Sequence, residues 1–318
     1  MDVSCEKFRS LLDEVCKTFP VETILLSGGL DSSILLFYTK PRNAITIAID
    51  NSSNDHKYSS LIASKFGLNH NIYQPLNHTI IENIDELIAD FKTFDPIFLR
   101  NMVIQLIGFQ KAHELGHKSV IIGDGADELF GGYNFLQRYH KVPIMLELKL
   151  QQLIQNMNFV SKNLARKYHL EAFTPFLNED IIEFAKALPA REKIAEHNGA
   201  LFGKFFLRKC FENILGDSIA WRKKEALETG SGMSHFSSEF SRRISDQDFL
   251  NGSKLAKKDM VTIKDKEHLY YYQTYRKYYP APINDPANQN LDFRKCYSCN
   301  SSFVWSGSFC KVCGAYPV

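Results

Sequence analysis

Two short apolar runs, Thr23 to Leu26 and Ser119 to Ile122, each end directly in a glycine-bearing segment, Ser27-Gly28-Gly29 and Gly123-Asp124-Gly125. Similar runs occupy Ala44 to Ile49 and Asn71 to Tyr73. Between them, segments around Ser32 to Thr39, Tyr58 to Phe66, Ile80 to Phe91 and Met102 to Leu115 repeat apolar residues every three or four positions, the spacing of a helix face. Strands that alternate with helices run parallel, because each return needs a crossover, and right-handed crossovers cover both faces of the sheet. The expected fold is therefore α/β, with a doubly wound parallel sheet. Ligands of such sheets bind beyond the carboxyl ends of the strands, so both glycine segments should face one crevice.

From about Asn134 to Trp221 helical periods dominate, as at Asp180 to Leu188 and Phe205 to Leu215, which predicts a helical extension. Residues 241 to 279 are polar and basic until a tyrosine-rich helix, and Pro280 to Asn290 reads as a linker. Four of the seven cysteines crowd into the last 23 residues as Cys296-x2-Cys299-x10-Cys310-x2-Cys313, leaving Cys5, Cys16 and Cys210 scattered. That is metal spacing rather than a disulfide framework. Two Cys-x2-Cys knuckles suit a closed tetrahedral Zn²⁺ site, a small zinc ribbon that needs its metal to fold. The net charge of +2 creates no strong field for nucleic acid or acidic membranes. No apolar run reaches a membrane span and the first twenty residues mix charges with apolar groups, so a cytoplasmic protein is expected.

The string Leu26-Ser27-Gly28-Gly29-Leu30-Asp31-Ser32-Ser33 joins a strand to a helix. Its glycines let the backbone approach an anion, and the helix N-terminus with the serine hydroxyls can cradle phosphate. Asp31 is placed to hold Mg²⁺ riding on those phosphates. The string resembles the pyrophosphate-binding loop of ATP pyrophosphatases, the PP-loop enzymes, which cleave ATP between the α and β phosphates to form an adenylate. No GxxxxGK[ST] motif occurs, so P-loop cleavage to ADP has no support.

Ile121-Ile122-Gly123-Asp124-Gly125-Ala126-Asp127-Glu128-Leu129-Phe130-Gly131-Gly132-Tyr133 narrows the choice within that superfamily. It resembles the signature of the synthetase domain of asparagine synthetases and their β-lactam synthetase relatives. Ordered matches follow: Phe94-Asp95-Pro96 with Arg100, Glu171 to Leu177, Lys204 with Arg208, Trp221 to Glu225 before Gly230, and Lys266-Glu267 leading into Tyr271-Tyr272. The resemblance covers roughly residues 5 to 282, and the chain is divided into a PP-loop domain at 1–282, a linker at 283–294 and the ribbon at 295–318.

The resemblance implies an adenine nucleotide α-hydrolase-like fold and an ATP-dependent ligase that adenylates a carboxylate, aspartate by default, releases pyrophosphate and transfers ammonia or another amine. ATP is expected on Leu26, Ser27, Gly28, Gly29, Asp31, Ser32, Ile49 and Gly123. Mg²⁺ is expected on Asp31 and Asp127. Asp124 matches the position that assists deprotonation of the amine, and Lys224 the lysine that stabilises developing negative charge, with Lys223 its competitor. Glu128 reads better as a helix cap, and Arg100 either orients an anion or forms a structural ion pair.

Two positions depart from the pattern: Ile122 stands where many relatives carry serine, and Phe173 where arginine usually precedes Val-Pro-Phe-Leu. The glutaminase domain with its nucleophilic cysteine just after Met1 is also expected to be absent, which leaves solution, a partner subunit or an amine-bearing substrate as the nitrogen source. Tyr270, Tyr271, Tyr272, Tyr275, Tyr278 and Tyr279 interleave with Arg276 and Lys277, and are expected to pack on the sheet rather than stack on nucleic-acid bases. The ribbon is expected to be mobile, dispensable for the chemistry, and a dock for a glutaminase, another protein or, with less weight, RNA. A PP-loop enzyme adenylating a tRNA base and a non-catalytic ATP-binding scaffold remain the alternatives.

Overall fold

The computed structural model describes residues 2–286, 294–303 and 309–316. Its five-stranded sheet comprises β1 (Thr23–Leu25), β2 (Asn43–Ile47), β3 (Asn69–Tyr73), β4 (Ser119–Ile121) and β5 (Glu171–Phe173). The spatial order is β3-β2-β1-β4-β5 and every pairing is parallel. Helix α1 (Asp2–Lys17) precedes the sheet, and α2 (Leu30–Thr39), α3 (Asn54–Phe66), α4 (Asn77–Phe91) and α5 (Pro96–Glu114) lie in the crossovers. After β4 come α6 (Ala126–Phe130), α7 (Pro143–Gln155) and α8 (Ser161–Lys167). The sequence then runs through β5 to α9 (Glu179–Ala187), α10 (Ala190–Lys193), the hairpin β6 (Ile194–His197) and β7 (Ala200–Gly203), α11 (Phe205–Leu215) and α12 (Asp217–Ala220).

The strand order reverses between β1 and β4, where neighbouring crossovers leave in opposite directions and open a crevice. Thr23 is in register with Val120 and Ile24 with Ile121. The two glycine loops follow those paired strands, so they emerge side by side, as their sequence positions led one to expect.

Internal packing separates two compact units, Met1–Gln74 with Gly108–Ala226, and Pro75–Ile107 with Leu227–Val318. In the first unit, Phe8 of α1 is fully buried and its ring lies within 5.5 Å of Phe130, Phe184 and Phe206. Burying such a ring stabilises the fold by about 1.5–3 kcal/mol. The amphipathic α1 is thus part of the core. Cys5 and Cys210, read from sequence as scattered thiols, are joined in a disulfide that fastens α1 to α11 across 205 residues. The sequence reading assigned these two thiols no partner.

The second unit contains α4, the first half of α5, α13 (Leu227–Gly230), α14 (Ser237–Arg243), α15 (Asp246–Lys258), α16 (Lys266–Tyr278) and a two-stranded ribbon, β8 (Arg294–Lys295) with β9 (Ser302–Phe303). The tyrosine-rich α16 buries Tyr271, Tyr272 and Tyr275, as expected of a packing helix. Its partners, however, are helices of its own unit: Tyr270 donates to Asp85 of α4 at 3.1 Å, and Phe240 of α14 lies 5.3 Å from Tyr271. Packing on the sheet, the sequence expectation, is replaced by packing on α4 and α14.

The ribbon is docked rather than free. Phe94 N–H donates to Val312 O at 2.7 Å, Thr93 Oγ1 to Lys311 O at 2.7 Å and Thr262 N–H to Ser298 O at 2.7 Å. Of the expected linker, Asp285 is fixed by Lys92 at 2.5 Å, and residues 287–293 lie outside the described residues. No helix among the described residues is long and apolar enough to cross a membrane.

Candidate active site

The first loop leaves β1 through Leu26, whose N–H donates to Ile45 O at 2.8 Å and whose carbonyl accepts from Thr46 Oγ1 at 2.5 Å. Gly28 follows at φ +66°, and a Cβ there would fall 2.4 Å from the backbone of Tyr58 and Ser59, so only glycine fits. Gly29 is the N-cap of α2 and has no side chain to occupy the free N–H groups of the first turn, which are left for an anion. Around it Ser27 Oγ lies 3.4 Å from Ser32 Oγ, and Ser33 Oγ donates to Gly29 O at 2.7 Å. Ile49 lies just beyond the carboxyl end of β2, half-buried.

The second loop turns from β4 into α6. Gly123 sits so close to the first loop that a Cβ on it would lie 3.1 Å from Asp31 Cβ. Asp124 accepts from Ser161 Oγ at the start of α8. Glu128 accepts from Tyr133 OH at 2.5 Å, and burial pushes its carboxyl up. That bond ties Glu128 to Tyr133, beyond the end of α6. Ile122, where relatives carry serine, is buried, and its N–H donates to Phe173 O at 3.1 Å.

Between the two loops lies a cation that the sequence reading matched as part of a motif but did not assign to the site. Lys204 Nζ is 2.5 Å from Asp31 Oδ2 and 2.6 Å from Asp127 Oδ1, and the residue is 2 % exposed. Lys204 caps α11 in the left-handed region at φ +53°, an unusual conformation for a residue with a side chain. Its N–H is held by Phe130 O at 3.1 Å. Neighbouring Gly132 makes room: a Cβ there would fall 1.8 Å from Asp127 Oδ1 and 2.3 Å from Lys204 Cε.

Lys224 Nζ adds a second positive charge, 2.9 Å from Asp127 Oδ2. Burial alone would push the Asp127 carboxyl up, but Lys204 and Lys224 outweigh it and hold the group down at about 2. Burial is the largest single effect on the Lys204 ammonium and pulls it down, but the two carboxylates together outweigh it and hold the group above its ordinary range. Lys223, the sequence competitor of Lys224, is exposed. Buried Arg208 secures the segment that carries Lys224, donating to Gly203 O at 2.8 Å, Ala220 O at 2.5 Å and Arg222 O at 2.9 Å. Arg222 in turn donates to Ser27 O at 3.3 Å and faces Asp55 at 3.4 Å.

The donor set suits Mg²⁺, which takes carboxylate oxygens. Asp31 Oδ1 is buried with no hydrogen-bond partner among the described residues, a lone pair left for a cation that arrives with its ligand. Arg100, one of the two readings of which was anion binding, is taken up within the second unit: its Nε donates to Glu267 Oε1 at 2.8 Å and its NH1 to Glu228 Oε2 at 3.3 Å. Tyr271 OH donates to the same Glu267 oxygen at 2.7 Å, so this is a structural ion-pair cluster.

In the ribbon, the four cysteine sulfurs lie within 4.8 Å of one another and all four residues are buried. Cys296 Sγ is 3.6 Å from Cys313 Sγ, and Cys299 Sγ is 3.7 Å from Cys310 Sγ. A zinc tetrahedron with ordinary Zn–S bonds has edges of about 3.8 Å, so the thiols are already spaced for the metal.

The sequence model of the asparagine synthase family matches residues 13–143 and 136–278. An asparagine synthetase [glutamine-hydrolyzing] of Asparagus officinalis is 26% identical over 283 residues, covering 81% of this chain and 47% of that protein. Asparagine synthetase B [glutamine-hydrolyzing] of Escherichia coli (strain K12) is 28% identical over 288 residues, covering 81% of this chain and 50% of its own length. The chain thus spans about half the length of these curated relatives. Among solved structures, a predicted subunit of tRNA methyltransferase from Methanocaldococcus jannaschii DSM superposes with a TM-score of 0.29 at 15% identity, covering 61% of this chain and 89% of that one. So loose a likeness bears on neither mechanism nor substrate.

Proposed function

The chain belongs to the asparagine synthase family, and from that premise we propose that it is an ATP-dependent ligase that adenylates a small carboxylate and converts it to an amide. One observation carries this reading: Asp31 and Asp127, from the two glycine loops, converge on Lys204 beside Lys224.

ATP lies with its phosphates over the N-terminus of α2, between Ser27 and Ser32 and against Gly123, with the base toward Ile49. Asp31 and Asp127 hold Mg²⁺, which supplies charge neutralisation to the phosphates when bound. Lys204 keeps the two carboxylates ionised and close together. The substrate carboxylate oxygen attacks the α-phosphorus, the bond to the bridging oxygen breaks, and pyrophosphate leaves with that electron pair. Lys224 balances the charge that develops there and again on the carbonyl oxygen during the second step. Ammonia, the simplest amine, then attacks the acyl carbon, AMP departs, and Asp124, oriented by Ser161, takes the proton. Aspartate is the default substrate. In the ribbon, Cys296, Cys299, Cys310 and Cys313 hold Zn²⁺ with no open position, so this metal is structural.

Two measurements test the assignment. With ATP, Mg²⁺, aspartate and ammonium, the products are expected to be AMP and pyrophosphate in equal amounts, and Asp31→Asn is expected to remove both without unfolding the protein. Release of ADP and phosphate would exclude the mechanism. For the lysines, Lys224→Met is expected to lower pyrophosphate release by about 10²-fold or more, the usual cost of losing one group that stabilises developing charge. Lys223→Met should stay within about twofold of wild type, as surface substitutions usually do. Equal losses for the two variants would show that the basic segment acts as a general field and that Lys224 has no specific role.

A further inference from the structure

Three aromatic rings of the ribbon lie on its surface: Tyr297 is 68 % exposed, Tyr316 63 % and Phe309 45 %. Tyr297 OH donates to Tyr316 O at 3.5 Å, which sets these two residues side by side. In the paired Cys-x2-Cys knuckles Tyr297 and Lys311 hold the same position, directly after the first cysteine. Arg294, Lys295 and Lys311 are exposed too, and no acidic residue occurs among the ribbon's described residues.

A second run of cations is fastened to this module within the same unit. Thr262 N–H donates to Ser298 O at 2.7 Å, Asn300 Nδ2 to Met260 O at 3.1 Å and Lys264 Nζ to Gly314 O at 3.2 Å, so residues 260–264 cross both knuckles. Lys257 and Lys258, at the end of α15, and Lys264 are exposed. The neighbouring acids are engaged. Asp259 accepts from Tyr272 OH at 2.6 Å and pairs with Arg276, Asp265 accepts from His268 N–H at 2.8 Å, and buried Asp95 accepts from Ile97 N–H at 3.0 Å. The six exposed cations outnumber these three carboxylates even when the two net negative charges of a zinc tetrathiolate are added.

Lysine is depleted where proteins dock on one another, whereas a single-stranded polyanion uses cations and solvent-facing rings together. Its phosphates pair with ammonium and guanidinium groups, and an unpaired base offers a flat face to a tyrosine ring. In a duplex those faces are already stacked inside. We propose that the ribbon and residues 257–264 form a binding surface for single-stranded nucleic acid, with Tyr297 and Tyr316 stacking on bases and the surrounding cations on the phosphates. The surface uses none of the residues assigned to ATP or to the reaction.

The test uses full-length, zinc-loaded protein and fluorescence anisotropy of labelled twelve-nucleotide CA repeats, as RNA and as DNA, at about 50 mM salt. Saturable binding of either strand is expected, the tighter of the two identifying the ligand, and the matching duplex should bind more weakly. Tyr297→Leu and Tyr316→Leu keep an apolar side chain but remove the flat ring, and each is expected to weaken binding by about fivefold to a hundredfold. Both positions are exposed, so the unfolding midpoint should not move. Lys257→Gln with Lys258→Gln should flatten the fall of affinity with salt by about 0.7 in the logarithmic slope for each charge lost. Absence of saturable binding would overturn the proposal and leave the exposed rings to a protein partner. Duplex bound as tightly as single strand, or tyrosine variants that bind like the wild type, would equally overturn it, since charge alone would then account for the binding. Pyrophosphate release is not part of this readout, so failure here leaves the ligase assignment untouched, and failure of that assignment leaves this surface standing.

Discussion

Lys204→Met is expected to abolish pyrophosphate release nearly completely, by about 10²–10³-fold, and to destabilise the folded protein by about 3 kcal/mol. The reason is geometric: removing the ammonium leaves Asp31 and Asp127 facing one another in a buried setting that Lys204 now neutralises at 2.5 and 2.6 Å. Breaking a buried pair by deleting one partner costs more than the pair contributes, because the remaining charge stays buried.

The contribution of Asp127 to the pH dependence should change sign. In the wild type Asp127 is held down at about 2, so its stabilising contribution is fully present above the ordinary carboxylate range, near pH 4, and is lost only as pH falls toward 2. In the variant, burial prevails and the folded carboxyl titrates above its unfolded value. Relative to the wild type, stability should then rise as pH is lowered from 7 toward 5. Added Mg²⁺ should raise the variant's unfolding midpoint more than that of the wild type. Lys204→Arg is not expected to rescue, since a planar guanidinium cannot replace a point charge gripped between two carboxylates. A Lys204→Met protein with wild-type activity and an unchanged acid profile would reduce the lysine to a packing role.

Loss of the zinc proposed for the ribbon is expected to have the second large effect, on stability before chemistry. Structural zinc contributes about 10 kcal/mol or more to the folding of small modules. Here the ribbon's backbone is also hydrogen-bonded to Thr93 and Phe94, at the turn into α5. Phe94 is fully buried, with its ring 5.4 Å from His268 and 5.1 Å from Tyr272 and Tyr275. Chelation, Cys313→Ser or deletion of residues 291–318 should therefore lower the unfolding midpoint by about 10 °C or more. Amide exchange should quicken through the start of α5 as far as Arg100. The PP-loop and acid-loop residues belong to the other unit, so protein that stays folded should retain pyrophosphate release within a few-fold. An unchanged midpoint would return the ribbon to the free appendage suggested by its sequence.

The parts of the fold that could be read in advance were those written locally. Each glycine loop follows its strand directly, so strand, turn and helix start could be placed together, and β1, β2, β3 and β4 fall within a few residues of the apolar runs. β5 is only three residues long and drew notice as a motif rather than as a strand. Among the site residues, Asp31, Asp127 and Lys224 were each found from their own segment, and the structure brings all three together. Lys204 was matched but assigned no place in the site, because its position depends on a hairpin and a left-handed cap, and neither leaves a periodic trace. The Cys5–Cys210 bond was invisible for a similar reason, since a separation of 205 residues carries no local signal.

The pairing of Asp31 with Lys204 spans 173 residues, and this bears on how the protein is made. Chains leave the ribosome N-terminal end first, so β1 to β4 and both glycine loops are available long before α11 exists. Through that interval Asp31 and Asp127 have no lysine between them, and their mutual repulsion opposes closure of the crevice. The charge balance of the crevice is therefore complete only once residue 204 has been made. A chain halted before residue 204 lacks the cation that neutralises the two carboxylates where the loops meet.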